Sequence, residues 1–144
     1  MRGGPDLDPL PSRILITLGS FVSIGFGIWH LFVPGLWDWY SYIDASATEL
    51  VVAIRAINVF FSLSLVLFGL MNLLLAYGPG DSRYAAVVVL GATCILWSAR
   101  VVMQIAYPQG SMSPVLQYGL LLTFALVLAC YAVALVLILA RSRA

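Results

Sequence analysis

The chain has 144 residues, of which 62% are hydrophobic and 9% charged, with a mean hydropathy of +1.04 and a formal net charge of +1. A soluble domain carries roughly 25% charged residues, so the composition excludes an ordinary water-soluble fold and points to an integral membrane protein. With no basic stripe outside the apolar segments, nucleic acid is excluded as a partner class as well.

Residues 1–13 are rich in Gly, Pro and Asp and are expected to form a disordered cytoplasmic leader. The first apolar run, Ile14 to Val33, is longer than the roughly 7 to 15 residues of a signal-peptide core. Asp6 and Asp8 precede it and no small-residue cleavage site follows, so it reads as a retained helix. Three further runs extend from Leu50 to Tyr77, Tyr84 to Tyr107 and Val115 to Ala140. Each exceeds the roughly 20 helical residues needed to cross a hydrocarbon core of about 30 Å. Turn chemistry separates them: Pro34-Gly35, the run Gly78-Pro79-Gly80-Asp81-Ser82, and Pro108-Gln109-Gly110 with Ser113-Pro114. The expected fold is all-α, an integral membrane antiparallel four-helix bundle over residues 14–140, followed by a cytoplasmic tail at 141–144.

All seven basic residues are arginines. With four spans, Arg2, Arg13, Arg83, Arg141 and Arg143 collect on the side of the termini, while the opposite loops hold none. The positive-inside rule then makes the protein a multi-pass protein of the cell membrane with both termini cytoplasmic. The absence of lysine fits an arginine-favouring bacterial source and hence an inner membrane.

Two arginines remain inside the spans. Arg55 is expected about 7 to 8 Å below the external end of the second helix and Arg100 about 10 Å below that of the third, with His30, the sole histidine, about 6 Å below that of the first. Asn58 and Gln104 fall in the same zone. Arg55, Asn58, Ser62, Gly69, Asn72 and Ala76 follow helical steps of three and four, with Leu65 between. Thr93, Trp97, Arg100, Gln104 and Tyr107 share a face of the third helix. Gly19, Ser23 and Gly27 lead to His30 on the first, a surface of small residues that admits a neighbouring backbone. Gly119, Thr123, Cys130 and Ala134 are the corresponding candidates on the fourth. These stripes place His30, Arg55, Asn58, Arg100 and Gln104 around a polar pocket at the external mouth, and ionisable groups at such depth mark a functional site.

Other readings of the same residues stay open. Either guanidinium can snorkel to the headgroups. Arg55 or Arg100 can instead pair with Glu49, Asp38 or Asp44 and hold a loop down, an arrangement that adds little net stability. A single histidine can be a satisfied structural group, and no spacing builds a metal site around it. The external segment from Pro34 to Asp44 carries Trp37, Trp39, Tyr40 and Tyr42. It serves as an interfacial aromatic belt, or its Trp37, Trp39 and Tyr40 form a lid over the mouth. Cys94 and Cys130 lie near mid-membrane without a CxxC motif and read as small buried apolar residues. No nucleotide-binding or nucleophile motif is present, so no residue is assigned a catalytic role and no cofactor is named.

A first helix closing on Gly25-x-Gly27-x-x-His30 with Pro34 after it, then a second opening on Ile54-Arg55 and containing Gly69, resembles the DoxX-like family of small bacterial membrane proteins over the first half of the chain. Leu31 stands where that family usually has an aromatic, and the external segment is richer in tryptophan. The resemblance implies a four-helix bundle with a subunit role in a membrane redox assembly, and marks His30 and Arg55.

Three function classes follow. The first is an accessory or assembly subunit that binds a membrane-protein partner, a further copy of itself or a small ligand at the external pocket. The second is an oxidoreductase component holding quinone or haem. The third is an oligomeric transporter of small molecules or anions; the lack of a carboxylate within any span counts against proton-coupled versions and leaves anion movement past Arg55 and Arg100 open.

Overall fold

The computed structural model describes residues 10–78 and 82–140. Among them the chain is entirely helical: α1 (Leu10–Leu36), α2 (Thr48–Tyr77), α3 (Arg83–Ala106) and α4 (Pro114–Ala140), with a 3₁₀ turn at Trp39–Tyr42. All four are long and apolar enough to cross a membrane. At 1.5 Å per residue even α3 is about 36 Å long, above the roughly 30 Å of a hydrocarbon core.

α1 begins at Leu10, inside the stretch expected to be leader. Pro11 suits a first helical turn, where its missing N–H costs nothing, and Ser12 is fully buried. The rest of the expected leader and the expected tail lie outside the described residues. At its other end α1 continues through Pro34 to Leu36 instead of stopping at Val33. α3 ends at Ala106 and leaves Tyr107 outside the helix and exposed, because the residue before a proline avoids the helical region.

α1 packs against both α2 and α4, α4 against α3, and α2 touches α3 least of the adjacent pairs. Thr17 meets Tyr77 and His30 meets Ser62, so α1 and α2 run in opposite directions. Arg83 of α3 reaches the Ile138 carbonyl of α4 while Gln104 reaches Gln117, so the second pair does the same. Glycine permits the closest approach. A Cβ on Gly27 would lie 2.7 Å from the Ser62 carbonyl oxygen, a distance that only a residue without a side chain allows, and one on Gly69 would make a tight 3.1 Å contact with that of Ser20.

The core consists of Ile16, Leu65, Leu90, Trp97, Phe124, Val127, Tyr131, Ala134 and Ile138 with their neighbours. The inner face of α4 is therefore not the small-residue stripe expected. Gly119 is exposed and Thr123 and Cys130 are half-buried; of the four only Ala134 is buried. α4 is apolar all round, so its sequence carries little phase information, and large rings fill its contact with α1 and α3.

Candidate functional site

α2 and α3 are held together in the half near the termini, where Asn72 Nδ2 donates to Thr93 Oγ1 at 2.8 Å. Towards the other end, which carries the loops at 37–47 and 107–113, they enclose a cavity of about 400 Å³. His30 of α1, Trp39, Asn58 and Phe61 of α2 and Arg100 of α3 line it, together with Ile54, Ile57, Met103 and Gln109. Its size falls in the range of roughly 300 to 1,000 Å³ found for small-molecule sites.

Each polar lining group is positioned by a helix face. His30 continues the Gly19, Ser23, Gly27 series, all buried, and its Nδ1 lies 3.3 Å from Ser62 Oγ, with the donor set by the imidazole tautomer. Rings surround it: Phe61 at 4.8 Å, Phe26 at 5.7 Å and Trp39 at 6.2 Å between centroids. Asn58 donates to the Leu31 carbonyl at 3.4 Å and stands beside the imidazole, yet its Oδ1 makes no hydrogen bond of good geometry.

Arg100 is 8% exposed. Its guanidinium carbon sits 4.3 Å from the Phe124 ring centroid and 5.9 Å from that of Phe61, close enough for cation–π attraction. One terminal nitrogen donates to Gln109 Oε1 at 2.5 Å, and the buried Nε has no partner. Gln109 is in turn fixed by Gln104, whose Nε2 donates to the Gln109 carbonyl at 2.9 Å and whose Oε1 accepts from the Gln109 N–H at 3.3 Å. Gln104 therefore supports the wall without lining it. Among the described residues no carboxylate pairs with Arg100; it contacts an amide and two rings.

Arg55 lies elsewhere. It is exposed and its guanidinium carbon rests 5.1 Å from the Tyr40 ring centroid. Counting back from Asn58, a step of three reaches Arg55 and a step of four reaches Ile54; the helix turns Ile54 to the cavity and Arg55 outward. The residues expected as a lid divide similarly. Trp39 lines the cavity, Tyr40 receives Arg55, and Trp37 packs edge-on against Trp29 at 5.9 Å. No contact with Asp38, Asp44 or Glu49 is found for either arginine among the described residues. Asp44 instead accepts from the backbone N–H and hydroxyl of Ser46, and these bonds hold its carboxyl below the ordinary aspartate value.

Sequence reasoning missed Gln109, read only as part of a turn, and the apolar walls Ile54, Ile57, Phe61 and Met103. No spacing signals Gln109, since it leaves the helix before folding back on Arg100. Among the described residues no three His, Cys, Asp or Glu side chains converge. The donors at the site are thus a guanidinium, an imidazole and amides, a set suited to binding oxygen atoms. Comparison with models of protein families, with curated proteins and with solved structures finds no match.

Proposed function

We propose that this chain is an accessory or assembly subunit of a membrane whose cavity between α2 and α3 binds a small molecule. The observation that carries this reading is the buried Arg100 guanidinium, with an unspent Nε–H, beside a cavity that also receives His30 and Asn58. A charged group at that depth costs several kcal/mol unless something compensates it, and the amide of Gln109 supplies no charge. The arginines near the termini support a reading in which the loop end, and with it the cavity, faces the external side of the cell membrane. The scarcity of nucleophiles and acid–base pairs favours binding over catalysis.

Native mass spectrometry of the protein released from mild detergent tests this. A small molecule retained by the native chain and by Arg55→Leu, and lost from Arg100→Leu, is the expected result. Bare protein in all three overturns it. A second reading, a quinone- or haem-binding redox component, draws on the aromatic rings around His30 and on the likeness to the DoxX-like family, of whose two marked residues His30 lines the cavity and Arg55 does not. A visible absorption spectrum of the same preparation separates the two.

A further inference from the structure

Building on that reading of the cavity, we infer that its ligand is a single-chain amphiphile with an anionic, oxygen-bearing head, entering sideways from the membrane between α2 and α3. Charge, a gradient of polarity and the position of the mouth carry it.

The first is charge. Arg100 brings a full positive charge to the cavity, where it contacts the neutral Gln109 amide and the faces of two rings. The Arg100 guanidinium and the neighbouring imidazole line the cavity and can meet the oxygens of a carboxylate or phosphate, and such charge-assisted bonds are roughly twice as strong as neutral ones. A neutral carbonyl would use the same donors and leave the charge uncompensated.

The second is the gradient of polarity with depth. His30, Asn58 and Arg100 are 6%, 6% and 8% exposed, whereas Ile57 and Met103, which line the same cavity, are 67% and 51% exposed. The polar groups are at the back and the apolar ones at the mouth, the order in which a head and a tail would lie. About 400 Å³ accommodates a head and the first part of one chain.

The third is the position of the mouth. Met103 is three residues before the end of α3, about 4 to 5 Å along the axis, and Ile57 is nine residues into α2, about 13 Å. Both fall within the membrane-spanning helices, at the seam where the bundle is least closed. The opening therefore faces acyl chains.

The test is native mass spectrometry of the full chain, stripped of lipid in a neutral detergent at about pH 8, where a carboxylic acid is ionised. Three probes are titrated: oleate, oleyl alcohol with the same tail and no charge, and decylubiquinone with a neutral carbonyl head. Oleate is expected to bind one to one and about tenfold or more tighter than the alcohol. Arg100→Gln should erase that preference, Arg100→Lys should keep most of it, and Met103→Trp, at the mouth, should weaken the binding of every probe. Equal binding of oleate and oleyl alcohol, or a preference that survives Arg100→Gln, overturns the anionic head and leaves the cavity as a binding site. Tightest binding of decylubiquinone does the same. No saturable binding of any probe, or binding indifferent to Met103→Trp, removes the cavity reading along with it. Circular dichroism reports whether each variant folds, and if Arg100→Gln does not, the oleate and alcohol comparison in the native chain decides.

Discussion

Tyr131, on α4 in the middle of the bundle, and Arg100, on α3 near the loop end, are both buried polar side chains that sequence periodicity alone would treat alike. Tyr131 is 0% exposed and its hydroxyl is shared between Ser20 Oγ at 3.2 Å and Ser23 Oγ at 3.1 Å, while Ser23 also bonds back to the Gly19 carbonyl. Asn72 and Thr93 form a similar closed knot, each also tied to its own helix backbone. Arg100 and Asn58 keep an unused nitrogen and an unused oxygen at a cavity. The difference separates glue from site. In lipid a satisfied hydroxyl network joins helices at modest gain, whereas a buried charge without counter-charge lowers stability and persists where function requires it.

The largest effect is expected at the α1–α2 contact, from Gly27→Val. Its Cβ would meet the Ser62 carbonyl oxygen at 2.7 Å, a backbone atom that cannot step aside, and overpacking of this kind costs about 1 to 3 kcal/mol. Thermal unfolding in detergent, followed by circular dichroism, should show the loss, and the His30 to Ser62 contact should go with it. The sharpest contrast is one of sign. Tyr131→Phe should destabilise the ligand-free protein by about 0.6 to 1.7 kcal/mol, the usual worth of an interhelical hydrogen bond in a membrane. Arg100→Met should leave it equally or more stable, since an unpaired charge gives way to an apolar chain of similar length. A stability loss for Arg100→Met as large as that for Tyr131→Phe would make Arg100 another piece of glue.

Arg55→Leu should change stability by less than about 0.5 kcal/mol, as for other exposed positions; a larger loss would mean that its contact with Tyr40 anchors the loop. The smallest effect concerns Asp44. Its carboxyl is held below its unfolded value, so the stabilisation is present above that value and is lost as pH falls through the folded one. Tryptophan emission from the loop should shift on acidification within that window in the native chain and not in Asp44→Asn.

Much of the bundle was legible because polar and small residues are rare in an apolar chain and therefore mark the inner face. Gly19, Ser23, Gly27 and His30, and Asn58, Ser62, Leu65, Gly69 and Asn72, are buried as their spacing requires. The site was legible in its helical members His30, Asn58 and Arg100. Arg55 was misplaced because a period of 3.6 leaves the choice between three and four steps open at the end of a stripe. α4 was opaque because it is apolar nearly all round and its small residues do not mark the buried face. The cavity itself was not legible, since spacing within each helix tells which face turns inward and nothing about how far two facing helices stand apart.

The exposed pair Ile57 and Met103 gives the cavity a door in its side wall instead of its roof. A molecule using that door is sampled from the bilayer, so the concentration that matters is its mole fraction among the lipids. Affinities expressed per volume of buffer would then drift with the amount of lipid or detergent in the sample, and a sparingly soluble compound could occupy the site fully while being nearly absent from water.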